Sequence, residues 1–160
     1  MTTLLQTDAY KFSMAQSGFP LREETFYLSF RKGGWQHVPF DLETEARSLL
    51  ATALAEPERR YLASAGYGVS GGMEAALGDS RITVRAVPQG SWVYQREPIL
   101  SVTAASFMAS WLEPTLLRLS FPIQLATEIH RSGAKIDPAM LHATCDAQAE
   151  IMKKVIHAVG

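Results

Sequence analysis

Residues 107–119 hold Phe107, Met108, Trp111, Leu112, Leu116, Leu117 and Leu119, with Glu113 and Arg118 as the only charges and Pro114 in the middle. A helix this apolar is buried in a core or seeks a partner surface. The chain before it has a different pattern. Residues 81–87 alternate charged or polar with apolar side chains, as a strand with one wetter face does. Pro88-Gln89-Gly90 makes a turn, residues 91–94 read as a second strand and residues 98–102 as a third, most simply connected as an antiparallel meander. Residues 24–30 are aromatic-rich and alternate only loosely, so they read as a further strand of the same sheet, covered at least by half on both faces. The change from strands to helices near Ala104 marks two layers of one unit. The expected fold class is therefore α+β: a small, mainly antiparallel sheet packed with helices, one module over residues 1–160, with 104–160 mainly helical. There are no internal repeats, low-complexity stretches or long linkers.

Several helix boundaries follow from end signals. Thr7 is placed to cap a helix beginning at Asp8, whose charge suits that end. Tyr10 and Met14 share a side, with Lys11 emerging beside them, and Gly18, Phe19 and Pro20 stop the helix. Asp41 begins another, with a stripe of Leu42, Ala46, Leu49, Leu50 and Ala53. Pro57 fits the first turn of a short helix reaching Ala65. A helix over residues 124–131 follows Pro122 and ends at Gly133. A last one starts after Asp137 with Leu141, Cys145, Ile151, Met152, Val155 and Ile156 on its apolar side.

The 160 residues are 47% hydrophobic, enough for a substantial core. With 15 basic and 16 acidic residues the net charge is -1, which provides no long-range field for nucleic acid or an anionic membrane. A phosphate ligand must then be held by locally placed cations. The lone Cys145 excludes an intramolecular disulfide and fits a reducing compartment or a cysteine-poor protein. With His142 and Asp146 it forms no convincing zinc constellation. Residues 1–5 lack a basic, apolar leader and no run approaches the ~20 apolar residues of a membrane span, so the expected location is cytoplasmic. The glycine-rich stretch 64–72 lacks the closing Lys-Ser/Thr of a phosphate loop and reads as a helix connection.

Two short segments carry candidate chemistry. The Arg31-Lys32-Gly33-Gly34 turn ends a strand with two cations. Arginine makes paired hydrogen bonds to phosphate and lysine supplies a movable charge, although a solvated basic edge would look the same. Tyr10 offers a ring face to a planar aromatic acid, or serves as a helix-to-core tyrosine. Asp8 either holds the local geometry or faces the ligand.

In order along the chain, Thr7-Asp8-Ala9-Tyr10-Lys11, the aromatic strand ending in Arg31-Lys32, Arg85-Ala86-Val87-Pro88-Gln89-Gly90-Ser91, Arg96-Glu97-Pro98-Ile99-Leu100-Ser101-Val102, and Trp111-Leu112-Glu113 through Ala126-Thr127 with Arg131 resemble the nicotinate phosphoribosyltransferase family. The resemblance covers roughly the first 130 residues. It implies the N-terminal module of a type II phosphoribosyltransferase, leading toward an α/β barrel that is absent or incomplete here. It departs at Gln89, where the family usually carries glutamate, and at Arg118 and Ser120, where asparagine is common; these changes could retune an anchoring hydrogen bond without changing the reaction. Family enzymes are over twice as long, and their catalytic histidine would lie beyond Gly160. None of His37, His130, His142 or His157 matches its motif.

The resemblance implies transfer of the phosphoribosyl group of phosphoribosyl pyrophosphate to nicotinate, giving nicotinate mononucleotide for NAD biosynthesis. It further implies Mg2+, ATP as a coupled substrate, and a homodimer with shared active sites in which Tyr10 stacks on the pyridine ring across the interface. Arg31 and Lys32 would meet the pyrophosphate, and Asp8 the pyridine side of the pocket. The 160 residues alone are expected to be inactive. The alternatives are a nicotinamide or quinolinate phosphoribosyltransferase, or a noncatalytic fragment that binds a protein partner.

Overall fold

The computed structural model describes residues 3–18, 21–50 and 53–133. The helix expected after Asp137, with Cys145, His142 and His157, lies outside them. A 3-10 turn at Thr3–Leu5 leads into α1 (Ala9–Gln16), β1 (Glu23–Ser29) and the two-residue β2 (Gln36–His37). Next come α2 (Leu42–Ser48), α3 (Glu56–Ser64), α4 (Gly71–Asp79), β3 (Thr83–Ala86) and the two-residue β4 (Trp92–Val93). The series closes with β5 (Pro98–Ala105), α5 (Ser106–Leu117) and α6 (Ser120–Arg131).

β5 is the longest and most apolar strand, and it takes the centre of a three-stranded sheet in the order β1-β5-β3. Both neighbours run antiparallel to it, pairing Phe26 with Val102, Leu28 with Leu100, Val84 with Val102 and Ala86 with Leu100. Because side chains alternate along a strand, these six residues share one face, and that face meets α5. The other face is polar: Thr25 and Thr103 touch through their hydroxyls at 2.8 Å.

α5 follows β5 without a loop and folds back over the sheet. The Ser106 amide donates to the Arg22 carbonyl at 2.9 Å, and the Ser106 hydroxyl to Glu24 at 2.7 Å. Phe107, Met108, Trp111 and Leu112 are fully buried, as so apolar a helix requires. The Trp111 ring lies 4.8 Å from that of Phe12 on α1 and 5.8 Å, edge-on, from that of Phe107. Pro114, within α5, has no N–H for the carbonyl of Ser110 one turn back, leaving that acceptor open to another donor.

The α+β class and the antiparallel sheet are as expected, while several local expectations are corrected. The strands do not form a meander. β4 leaves the main sheet to pair with β2, matching Gln36 to Val93 and His37 to Trp92, so that Gln36 and Val93 are buried and β5 lies directly against β3. β1 is an edge strand, not one covered on both faces: Tyr27 is 66% exposed. Thr7 does not cap α1; Asp8 takes the cap position without a side-chain cap bond, and the Thr7 hydroxyl is buried without a partner among the described residues. α2 stops at Ser48, short of the expected stripe, although Asp41 caps it by accepting from the Thr44 amide at 3.1 Å. α4 was not anticipated, because Gly71 and Gly72 in its first turn hide it; Ser70 caps it through the Met73 amide. α6 begins at Ser120 and carries Pro122 in its first turn, where a missing N–H costs nothing.

Among the described residues no helix is long and apolar enough to cross a membrane.

Candidate substrate-binding cleft

A cleft of about 390 Å³ opens where the β1 edge of the sheet meets α5. Phe26, Leu28, Leu100 and Val102 line it from the sheet, Ala109, Leu116 and Leu117 from the helix, and Arg31 and Glu113 supply its charges. An apolar wall with a few polar groups is the usual make-up of a small-molecule site. Among the described residues, no hydrogen bond or ion pair engages the side chains of Arg31, Lys32 or Arg96. Arg31 thus lines the cleft as a cation without a partner among the described residues. Lys32 is exposed on the following turn and is not part of the cleft wall.

Glu113 ties this cleft to α1. Its carboxylate accepts from the Lys11 ammonium at 2.8 Å, and Lys11 also donates to the carbonyl of Ser110 at 2.8 Å. Asp8 lies 3.5 Å from the same ammonium, whose distance to the centre of the Tyr10 ring is 5.8 Å. Lys11 therefore does not emerge beside Tyr10 as a free cation; it is 1% exposed and fills the acceptor that Pro114 vacates. Tyr10 itself is 57% exposed and lies off the cleft wall. Asp8, Tyr10 and Lys11 form one cluster with Glu113, which shares the cleft wall with Arg31. Glu113 is a cleft residue that its sequence neighbourhood does not announce; the available signal is a proline one residue after it and a lysine near the chain start with no local carboxylate except Asp8.

The turn bearing Arg31 and Lys32 is fastened by its backbone. The carbonyl of Phe30 accepts from the Arg96 amide at 2.7 Å, and that of Gly34 from the Gln95 amide at 3.0 Å. Gly33 and Gly34 have φ of 103° and 63°, the left-handed region that glycine adopts without strain. Arg96 also has a positive φ, 71°, which costs an arginine roughly 1–2 kcal/mol. Such strain occurs preferentially at functional sites.

The described histidines take no part in the cleft. His37 stacks on His130 with ring centres 5.6 Å apart, and both lie 5.0 Å from the Trp92 ring. Burial first, and the neighbouring His130 second, push the His37 pKa below the ordinary histidine value. Stability from this site is fully present above the unfolded value and declines as pH falls through the window down to the folded value. The three departures from the resemblance all have local partners. Gln89 donates to the Pro39 carbonyl at 3.0 Å, Arg118 to Gln6 at 2.9 Å, and Ser120 to the Leu117 carbonyl at 2.6 Å.

Among the described residues no group of three or more His, Cys, Asp or Glu side chains could hold a metal ion. Glu113, the carboxylate on the cleft wall, is already paired with Lys11. These residues do not fit a protein-held Mg2+ site.

The antiparallel sheet, the helices packed on it and the cleft at its edge make a small mixed α+β domain that resembles part of a phosphoribosyltransferase-like fold. The relationship is remote and partial. A crystal structure of human nicotinic acid phosphoribosyltransferase matches 78% of this chain with a TM-score of 0.60 and 28% sequence identity. The match covers 27% of that enzyme's chain, so the present chain corresponds to about a quarter of it. No protein-family description matches the sequence, and no curated protein does.

Proposed function

We propose that this chain supplies the pyrophosphate-binding edge of a nicotinate phosphoribosyltransferase. The observation that supports this most is Arg31, without a partner among the described residues, on the wall of an apolar cleft, at the end of a strand whose following turn is tied down on both sides. In the proposed reaction the ring nitrogen of nicotinate attacks C1 of the ribose. The bond from C1 to the pyrophosphate oxygen breaks, and pyrophosphate leaves with the electron pair. Nicotinate mononucleotide is the other product. Negative charge grows on the leaving oxygens, and a guanidinium fixed beside them stabilises that growth more than it stabilises the bound reactant. Lys32 adds a mobile charge at the mouth of the site. Mg2+ would travel with the substrate phosphates, in keeping with its usual binding mode. ATP coupling rests on the sequence resemblance alone, and no step here depends on it.

The base end is assigned to Tyr10 of a second copy. Its ring is exposed, and Lys11 and Asp8 anchor the helix turn that presents it. Two-fold closure would place two such rings over two clefts. Asp8 is assigned to holding that turn.

Arg31→Ala is expected to weaken binding of phosphoribosyl pyrophosphate by about 2 kcal/mol, or roughly 30-fold, the worth of a hydrogen-bonded charge contact. Tyr10→Ala should leave that affinity unchanged and weaken nicotinate binding by on the order of 1 kcal/mol. Calorimetric titration with each ligand separately checks both. Equal affinity of the parent and Arg31→Ala for phosphoribosyl pyrophosphate would remove the basis of the assignment.

A further inference from the structure

Residues 31–35 make an exposed turn, yet its carbonyls are extensively bonded. The Phe30 and Gly34 carbonyls are taken by the amides of Arg96 and Gln95, and the Gly34 amide donates to the Gln95 side chain at 3.3 Å. From the opposite side, Nη2 of Arg131 donates to the Gly33 carbonyl at 3.0 Å and to the Trp35 carbonyl at 2.8 Å. Gln36 adds a second donor to Gly33 at 2.9 Å. A Cβ on Gly33 would come within 2.7 Å of the side-chain nitrogen of Gln36, which would have to shift, and the φ of 103° is one that glycine adopts without strain. Around such a fastened backbone, the side chains of Arg31 and Lys32 are the parts left without a partner among the described residues.

Arg131 is well built for this task. It sits in the last turn of α6, where a cation is favoured by the helix dipole, and Glu128 one turn earlier holds its other nitrogen. The Thr127 hydroxyl, accepting from the His37 amide at 2.9 Å, fastens the far end of the same segment to α6. Arg131 is 44% exposed, so two hydrogen bonds there add little to global stability. What they do is choose one conformation for a glycine-containing turn that otherwise has many.

We infer that Arg131 is a positioning residue for the anion-binding pair Arg31 and Lys32: by holding the Gly33 and Trp35 carbonyls it preorganises the turn that presents them. This rests on the proposed role of Arg31. The energetic argument is that a cation already held in place loses less freedom when it meets a polyanion, and small misplacements of such groups are costly. Lysine at 131 carries the charge but lacks the planar fork, so it restores the role only in part.

The test uses the 160-residue chain with phosphoribosyl pyrophosphate and, separately, inorganic pyrophosphate as probes. Arg131→Gln should raise both dissociation constants about tenfold, and Arg131→Lys about threefold, with the melting temperature of each variant close to the parent's. In the absence of ligand, amide exchange of residues 32–34 should accelerate in Arg131→Gln and return toward the parent rate in Arg131→Lys. Retention of parental affinity by Arg131→Gln, while Arg31→Gln loses it, overturns this inference alone. Unchanged exchange in Arg131→Gln, or faster exchange without weaker binding, overturns it equally. If the parent binds neither probe, or Arg31→Gln binds both as well as the parent, the proposed function fails and the positioning role falls with it.

Discussion

Trp111→Ala is expected to lower the unfolding free energy by about 3–5 kcal/mol, the range for removing a large aromatic from a packed core. The side chain is fully buried between Phe12 of α1 and Phe107 of its own helix, so its loss opens a void touching two elements at once. Its indole N–H also donates to the Lys11 carbonyl at 3.3 Å, and that acceptor would lose its side-chain partner. Typical domains are stable by only ~5–15 kcal/mol, so the variant should be close to unfolding at physiological temperature. Trp92→Ala is the matched control: that ring lies on the half-exposed face of β4, and its removal should cost less than about 1.5 kcal/mol. Urea unfolding of the two variants beside the parent measures both. Similar losses for Trp111 and Trp92 would mean that the core does not lie where α1, α5 and the sheet converge.

The second large effect concerns the buried ammonium. Lys11→Met should destabilise by about 2 kcal/mol, because the Ser110 carbonyl would be left with neither a helical N–H nor the ammonium. The loss is held to that size because methionine fills similar space and no longer requires a charge to be desolvated. Glu113 contributes little to the loss, since it is 52% exposed and water can solvate it. The cost therefore depends on Pro114. In a Pro114→Ala background Ser110 regains its helical donor, and Lys11→Met should then cost less than about 1 kcal/mol. The coupling between positions 11 and 114 should be on the order of 1–2 kcal/mol by a double-mutant cycle. Strict additivity within about 0.5 kcal/mol would show that Lys11 does not serve the acceptor that proline leaves open.

Elements whose signals lay within a few residues were legible in the sequence. The burial of α5 follows from its composition, β3 from its alternation, and α2 and α3 from Asp41 and Pro57. The partition of the strands was not legible, since choosing β2 over β5 as the neighbour of β4 depends on contacts between residues more than fifty positions apart. Helix α4 was hidden by two glycines whose low propensity is offset by a serine cap and by the burial of Leu77. At the cleft, the placement of Arg31 at a strand end was readable. The fate of Lys11 was not, because its partner Glu113 and the carbonyl of Ser110 are about a hundred residues away. Nor was Arg131 readable as a clamp, since its contacts are to backbone carbonyls, whose identity leaves no trace in side-chain pattern.

The left-handed backbone of Arg96 bears on how this protein would respond to directed evolution. Glycine or asparagine at that position relieves the torsional penalty while keeping the amide that bonds Phe30. A library sorted on heat resistance alone would therefore drift away from arginine and discard a positive charge next to the Arg31 turn. On the proposed function, in which this turn meets pyrophosphate, a library sorted on retention of a phosphorylated ligand would resist that drift. On that proposal, thermal selection and ligand selection pull in opposite directions at position 96.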